Sequence, residues 1–526
     1  MPGPSWSVNS CISNIIPFDI ERPYVVLLIW LTFYILSNFI CSVKRWLITN
    51  EREGAGSYVM KKLTFALCFG NRGFMPGELI FDARKEMIKA VSDAGHDYIM
   101  MEESLTRYGA VETRDEGRLY AKWLAENKGK YDGVIFSMPI FVDENGAAEA
   151  LRDAGVPILL QAYPDEIGKM DFKHRRDAYC GKFSVTDVFC QYEIPFTVMK
   201  PHVVHPLSNA FAENLADFAA ICRVVNGMKR FTIGAIGART TAFKTVRYDE
   251  VALQKYGINV ETFDLSELIF KVQNMADDAV GVKEKIEYLG EYSNLSTVPE
   301  SNTLTLAKIS IVIDEYIKDY HLDAITLRCW NEMETILRVC PCVLLSELND
   351  RGIVASCEID LCSAITMRAM NLASEKPTTV LDWNNNYGDN EDKVILFHCG
   401  PVPQSLMAAK GTVTEHLMFA KIDPGSGWGC NEGRIAAFPM TYSNCQTKDG
   451  KLVVYVSEGN MTDDIIEDGF FGCAGVAEIT DLQNKLIRLA RGGFKHHTSV
   501  GAGHMKTVLE EAFTTYLGYD VISIES

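Results

Sequence analysis

The chain lacks a surplus of positive charge. Its 526 residues hold 51 lysines and arginines against 69 aspartates and glutamates, a formal net charge of -18. Phosphate backbones need a basic face, so this balance argues against nucleic acid as a partner. A disulfide framework is also missing. Fifteen cysteines are scattered without even spacing, and many sit inside apolar runs, as Cys68, Cys190, Cys222, Cys357 and Cys362 do. Reduced thiols in a cytosolic protein are the expectation. Cys340 and Cys342 form CPC, too tight for a zinc knuckle and without a second pair, so they read as structural thiols. No dinucleotide fingerprint is present: GNRGF lacks the G-x-G-x-x-G spacing, which removes the nicotinamide-binding reading. No internal repeat or low-complexity tract stands out.

What is there is ordinary for a globular enzyme: 47% hydrophobic and 23% charged residues. A chain of this length divides into roughly two to four domains. Residues 1–59 form an extension with its own problem. Tyr24 to Val43 is an uncharged run long enough to span a bilayer as a helix. Asp19 and Glu21 precede it and Lys44, Arg45 and Arg52 follow, which would place the larger part in the cytoplasm. The competing reading makes 1–59 a dispensable extension, because Met60-Lys61-Lys62 leads directly into the strand LTFALCF. Both readings put the chemistry in the cytoplasm, with a membrane partner only if the anchor is real.

From Leu63 strands alternate with helices, which predicts parallel sheets covered on both faces. A first α/β domain is expected over 60–206 and a second over 207–375. Beyond about Asn384, short β-like runs separated by turns predict a β-rich, barrel-like domain over 376–526. His202 and His205 sit at a ligand-like spacing, but Pro201 and Pro206 make that stretch a linker.

The densest chemistry lies in ASCEIDLCSAITMRAMNLASEKPTTVLDWNNN. A strand ends in Glu358 and Asp360, a helix follows, and a second strand ends in Asp382. Ligands gather at the carboxyl ends of strands in open α/β sheets. Carboxylates from two such ends suit a hard divalent cation or proton transfer. Asp360 stands where a helix begins, so a helix cap is favoured over a metal role. Near the end of the chain, His496, His497 and His504 stand in KHHTSVGAGH. Outside an apolar stripe, one ring suits a metal and its neighbour a substrate; the alternative is a solvated loop. Further substrate-binding candidates are Arg72, Arg328, Trp330 and His398, with Glu332 as a second choice beside Asp360. For Arg72 an ordinary loop arginine is the competing reading, for Trp330 a core position, and for His398 a structural role. Glu332, Glu334 and Glu347 read as solvated helix residues.

Taken together, GNRGF, IGAIGART, LRCW, SCEID, VLDWN and KHHTSVGAGH resemble the L-fucose isomerase and L-arabinose isomerase superfamily across Leu63 to Ile524. The resemblance implies two Rossmann-like domains followed by a β-rich domain. It implies aldose–ketose isomerisation with a divalent metal, usually manganese, and homo-oligomers, often hexamers. By the same resemblance SCEID places a metal-binding glutamate at Glu358, VLDWN an aspartate at Asp382 and KHHTSVGAGH a histidine at His497. Glu358 and Asp382 would also be the acid/base pair acting through a cis-enediol. Residues around each motif depart from the fucose-specific pattern, so the substrate stays a monosaccharide or substituted monosaccharide. Arg72, Arg239 and Arg247 would suit an anionic substituent. A sugar-binding or sensing protein that keeps the fold without catalysis is the reading from another class.

Overall fold

The computed structural model describes residues 62–467 and 469–525. The apolar run 24–43 lies outside them, and no described helix is long and apolar enough to cross a membrane.

Near-continuous apolar runs such as TFALCF and GVIFSM can hide both faces only inside a parallel sheet. They do so here. Strands β1 (Thr64–Phe69), β2 (Asp97–Met100), β3 (Gly133–Met138) and β4 (Ile158–Ala162) pair in parallel in the order β2-β1-β3-β4. The second sheet repeats that order. Its strands are β5 (Phe231–Ile236), β6 (Ile258–Phe263), β7 (Ala324–Leu327) and β8 (Val354–Cys357), arranged β6-β5-β7-β8.

The third sheet is mixed and holds nine strands. They are β9 (Thr378–Tyr387), β10 (Asn390–His398), β11 (Thr412–Glu415), β12 (Trp428–Arg434), β13 (Phe438–Lys448), β14 (Lys451–Thr462), β15 (Cys473–Glu478), β16 (His497–Ala502) and β17 (Asp520–Val521). Strand β15 pairs with both β10 and β14. That second pairing closes β15, β10, β9, β16, β13 and β14 into a ring. The sheet ends on two short strands, β11 at one side and β17 at the other.

One helix joins the second sheet to this barrel. Leu361–Ser374 reads LCSAITMRAMNLAS, apolar around most of its girth with Arg368 and Asn371 as the breaks, which calls for a largely buried helix. Ten of its fourteen residues are buried. Leu361, Ile365, Met367 and Met370 share one core with Val354 of β8 and Val454 of β14. Each such side chain contributes about 1.5–3 kcal/mol on burial.

Several sequence expectations change here. VLDWN does not end at its acid: β9 runs on through Tyr387, because the hairpin with β10 supplies hydrogen bonds past Asp382. Asp382 is therefore a mid-strand residue. His497 opens β16, which β9 and β13 flank, so the competing reading of that stretch as a solvated loop falls away. Glu334 and Glu347 are not solvated; both side chains are fully buried. Glu334 lies in the one-turn π-helix Met333–Leu337, and Glu347 pairs with Arg351 at 2.6 Å. The thirteen described cysteines are all free thiols, and Cys340 and Cys342 pack with Cys430 in a buried apolar cluster.

Candidate active site

The site forms where the carboxyl end of β8 meets one end of the barrel. Glu358 follows β8 directly. Its φ of 62° and the φ of 61° at Ile359 are left-handed, a conformation costly for any non-glycine residue and most for a β-branched one. Strain of about 1–3 kcal/mol per residue persists only where the surroundings over-determine it. Here Ile359 is buried in the core and Asp360 caps the next helix, accepting from Ser363 N at 3.1 Å. The turn delivers the Glu358 carboxylate to the barrel.

The barrel supplies the partners by register. Asp382 of β9 and His497 of β16 are directly opposed. Opposed residues of an antiparallel pair share a face, and a one-residue slip would send them to opposite sides. His497 Nε2 lies 3.2 Å from Glu358 Oε2 and 3.5 Å from Asp382 Oδ1. Neither oxygen has a hydrogen-bond partner among the described residues, and both are buried. His496 Nε2 stands 3.7 Å from the same Asp382 oxygen.

Behind this set lies a charge network. His497 Nδ1 is 2.7 Å from Asp360 Oδ2, and a carboxylate can only accept, so Nδ1 carries the proton. Nε2 then faces Glu358 and Asp382. Asp360 also takes Lys495 Nζ at 2.7 Å and Ser363 Oγ at 2.6 Å. Asn444 bonds both Ser363 Oγ and the His497 carbonyl, fixing strand to helix. Burial opposes the charge on Asp360, but Lys495 and His497 overcome it and hold the carboxyl far below its usual range. Lys495 is raised in turn: burial lowers it, and Asp360 more than offsets that. Burial would also lower His497, yet the adjoining Asp360 and Glu358 carboxylates push it up to about 10. Glu358 is lowered on balance, burial being outweighed by His497. Surroundings this negative favour a positive charge at Nε2, whether a proton or a metal ion.

His398 closes another side. It is buried, its ring centroid stands 5.7 Å from that of His497, and it shares a potential ligand cluster with Glu358 and His497. The Cys399 amide donates to its Nδ1 at 2.9 Å, so in the neutral ring the proton resides on Nε2. Burial lowers the ring's pKa and keeps it neutral. His398 therefore presents an N–H donor rather than a lone pair. Its Nε2 has no partner among the described residues.

An aromatic rim borders the site. Trp330 packs on Phe243 at 5.3 Å and on Phe419 at 6.1 Å, and Phe243 reaches His496 at 6.1 Å. Arg328 braces this rim rather than facing the carboxylates: its Nε donates to Trp330 O at 2.7 Å and it pairs with Glu332 at 2.8 Å. Arg72 is elsewhere, at the carboxyl end of β1, donating to Val142 O and pairing with Glu144. Arg239 and Arg247 donate to carbonyls of their own loop. Glu358, Asp382, His398, His496 and His497 thus come together, with Trp330 at the rim. Lys495 was missed from sequence because a lone lysine in a polar stretch reads as solvated. Its adjacency to the histidine pair was the available signal.

A helix cap, two strained residues and two carboxylates converging on an aligned imidazole make a candidate enzyme centre at the join of an α/β sheet and a barrel. The family comparisons agree. Residues 66–229 match the fucose/sulfoquinovose isomerase N-terminal domain and residues 396–525 the L-fucose isomerase C-terminal domain. The chain belongs to the L-fucose isomerase superfamily, whose members are aldose–ketose isomerases, intramolecular oxidoreductases. It is 24% identical over 390 residues to the sulfoquinovose isomerase of Priestia aryabhattai, covering 73% of this chain and 83% of that one. The Priestia megaterium (strain ATCC 12872 / QMB1551) sulfoquinovose isomerase shows the same identity and coverage. A sulfoquinovose isomerase from Clostridium sp. (strain MSTE9) is 24% identical over 307 residues, 58% of this chain and 67% of its own.

Proposed function

We propose that this enzyme interconverts an aldose and a ketose with a divalent cation held by Glu358, Asp382 and His497. The observation that carries this reading is the convergence of two buried carboxylate oxygens without hydrogen-bond partners on an imidazole whose other nitrogen is locked by Asp360. Two hard oxygens and one nitrogen suit Mn2+ or a similar ion, and the Asp360–His497 pair orients the ring as metal-binding histidines require. When bound, the cation supplies positive charge beside the two reacting oxygens of the sugar.

The protein's own groups do the rest. A carboxylate of the Glu358–Asp382 pair removes the proton from C2 of the aldose and returns it to C1. The hydroxyl proton at O2 leaves as the one at O1 is gained, through a cis-enediol. His398 donates its Nε2–H to a substrate oxygen, and His496 and Trp330 bound the ring's path inward. Three relatives named sulfoquinovose isomerase make a sulfonated hexose the first substrate to try, ahead of fucose. The family resemblance also favours a homo-oligomer. Phe74, Ile167 and Phe172, exposed on loops after β1 and β4, suit such contacts.

Exchange of the C2 proton in D₂O tests the reading. A panel of aldoses, sulfoquinovose included, should show exchange that needs Mn2+ and is lost in both Glu358→Gln and Asp382→Asn. Sugar binding without divalent-metal binding, or exchange indifferent to both changes, would sink it.

A further inference from the structure

We propose that His416 is a further substrate-binding residue, reading one sugar hydroxyl at the side of the chamber beyond His398. The proposal rests on the isomerase reading above. His416 follows β11 and is 1% exposed, yet neither ring nitrogen has a hydrogen-bond partner among the described residues. A buried imidazole must satisfy one donor and one acceptor, and leaving both unmade is costly. Rotation of the backbone offers no relief. The His416 amide donates to Gly427 O at 2.8 Å, and its carbonyl accepts from Phe419 N and Ala420 N. The segment is pinned further out, where Arg338 pairs with Asp423 and donates to Pro424 O at 3.0 Å.

The neighbours point the ring toward the chemistry. Phe419 packs on it at 5.0 Å and reaches Trp330 of the rim at 6.1 Å. Phe471 packs on the other side at 5.3 Å and also meets Phe397, which lies opposite Asp382 in the sheet. Burial, with His398 adding to it, lowers the His416 ring to about 4 and keeps it neutral. The unpartnered atoms of Glu358, Asp382 and His398 lie at the candidate centre, and the two of His416 lie among the aromatic rings that border it. That arrangement suits a polyol: rings cover the C–H faces while nitrogens meet hydroxyls that both donate and accept. A neutral imidazole serves better than a cation here, because its two nitrogens can pair with a hydroxyl in either sense.

The test compares the full chain with His416→Leu and His416→Gln, loaded with Mn2+. The substrates are the aldose that the wild type exchanges at C2 and its series of mono-deoxy analogues. Expected is an about 10–100-fold fall in kcat/KM for the parent aldose in His416→Leu, carried mostly by KM. One deoxy analogue should be handled equally by wild type and His416→Leu, and His416→Gln should regain part of the loss. Equal losses on every analogue mark a structural role and overturn the proposal, as does no loss at all. If His416→Leu does not fold, His416→Gln carries the same comparison, and unchanged deoxy discrimination overturns it. No C2 exchange by the wild type on any aldose instead brings down the isomerase reading beneath it.

Discussion

The first two sheets share one topology and differ in what their carboxyl ends do. After β1, Arg72 is tied to Glu144 and to the Val142 carbonyl, and after β4 the loop carries exposed Ile167 and Phe172. After β8, two strained residues aim Glu358 at the barrel, and after β7 Trp330 builds the rim. The same α/β unit thus yields a satisfied loop in one place and a reacting centre in the other. The difference comes from the neighbour: β8 abuts a barrel that offers Asp382 and His497 in register. Fold alone does not make a site; the complementary groups do.

The sharpest way to break this contrast is to disarm the second sheet. Glu358→Gln and Asp382→Asn should each lower kcat by about 10²–10⁴-fold, read by C2 exchange. A far smaller loss in both would move the base elsewhere. Next comes the support behind the ring. Lys495→Met leaves Asp360 buried with one cation fewer, which should weaken Mn2+ binding about 10–100-fold. Titration calorimetry measures it, and Lys495→Arg should restore part of the affinity if charge is what matters.

A third test uses pH at the same edge. Burial pushes Glu334 up to about 8 from 4.5, with Glu332 adding and Arg328 opposing. The folded value lies above the unfolded one, so the neutral carboxyl's contribution is full below about pH 4.5 and lost as pH rises through about 8. Urea midpoints should therefore fall across that window, and Glu334→Gln should flatten the fall. The smallest effect belongs to the first sheet. Arg72→Gln should cost about 1 kcal/mol or less, as partly exposed pairs do, and change kcat only a few-fold. A loss near that of Asp382→Asn would show that both sheets take part in catalysis.

Local signals were legible in the sequence. The strand before Glu358, the helix after it and the Asp360 cap follow from neighbouring residues and a short-range rule. Glu358, Asp382 and His497 stood out through the family's motif order rather than through physics alone. What sequence hid was tertiary. Whether VLDWN stops at Asp382 depends on β10, far from any local pattern. KHHTSVGAGH leaves a solvated loop open as an alternative until β9 and β13 claim His497–Ala502 as a strand. Lys495 and Glu334 are ionisable side chains that sequence assigns to solvent, and only packing reveals that they are enclosed. His416, too, is unremarkable as a residue in EHLMF; its meaning lies in two nitrogens that nothing nearby satisfies.

The ring closure through β15 bears on a different matter, how the chain survives crowded conditions. A long open edge is a template for pairing with other molecules. Here the strands of the ring have none to offer, and the flanks are short: the four-residue β11, whose outer edge is bridged to Asn294, and the two-residue β17. Aggregation during heating should therefore begin outside the barrel, at the margins of the two parallel sheets.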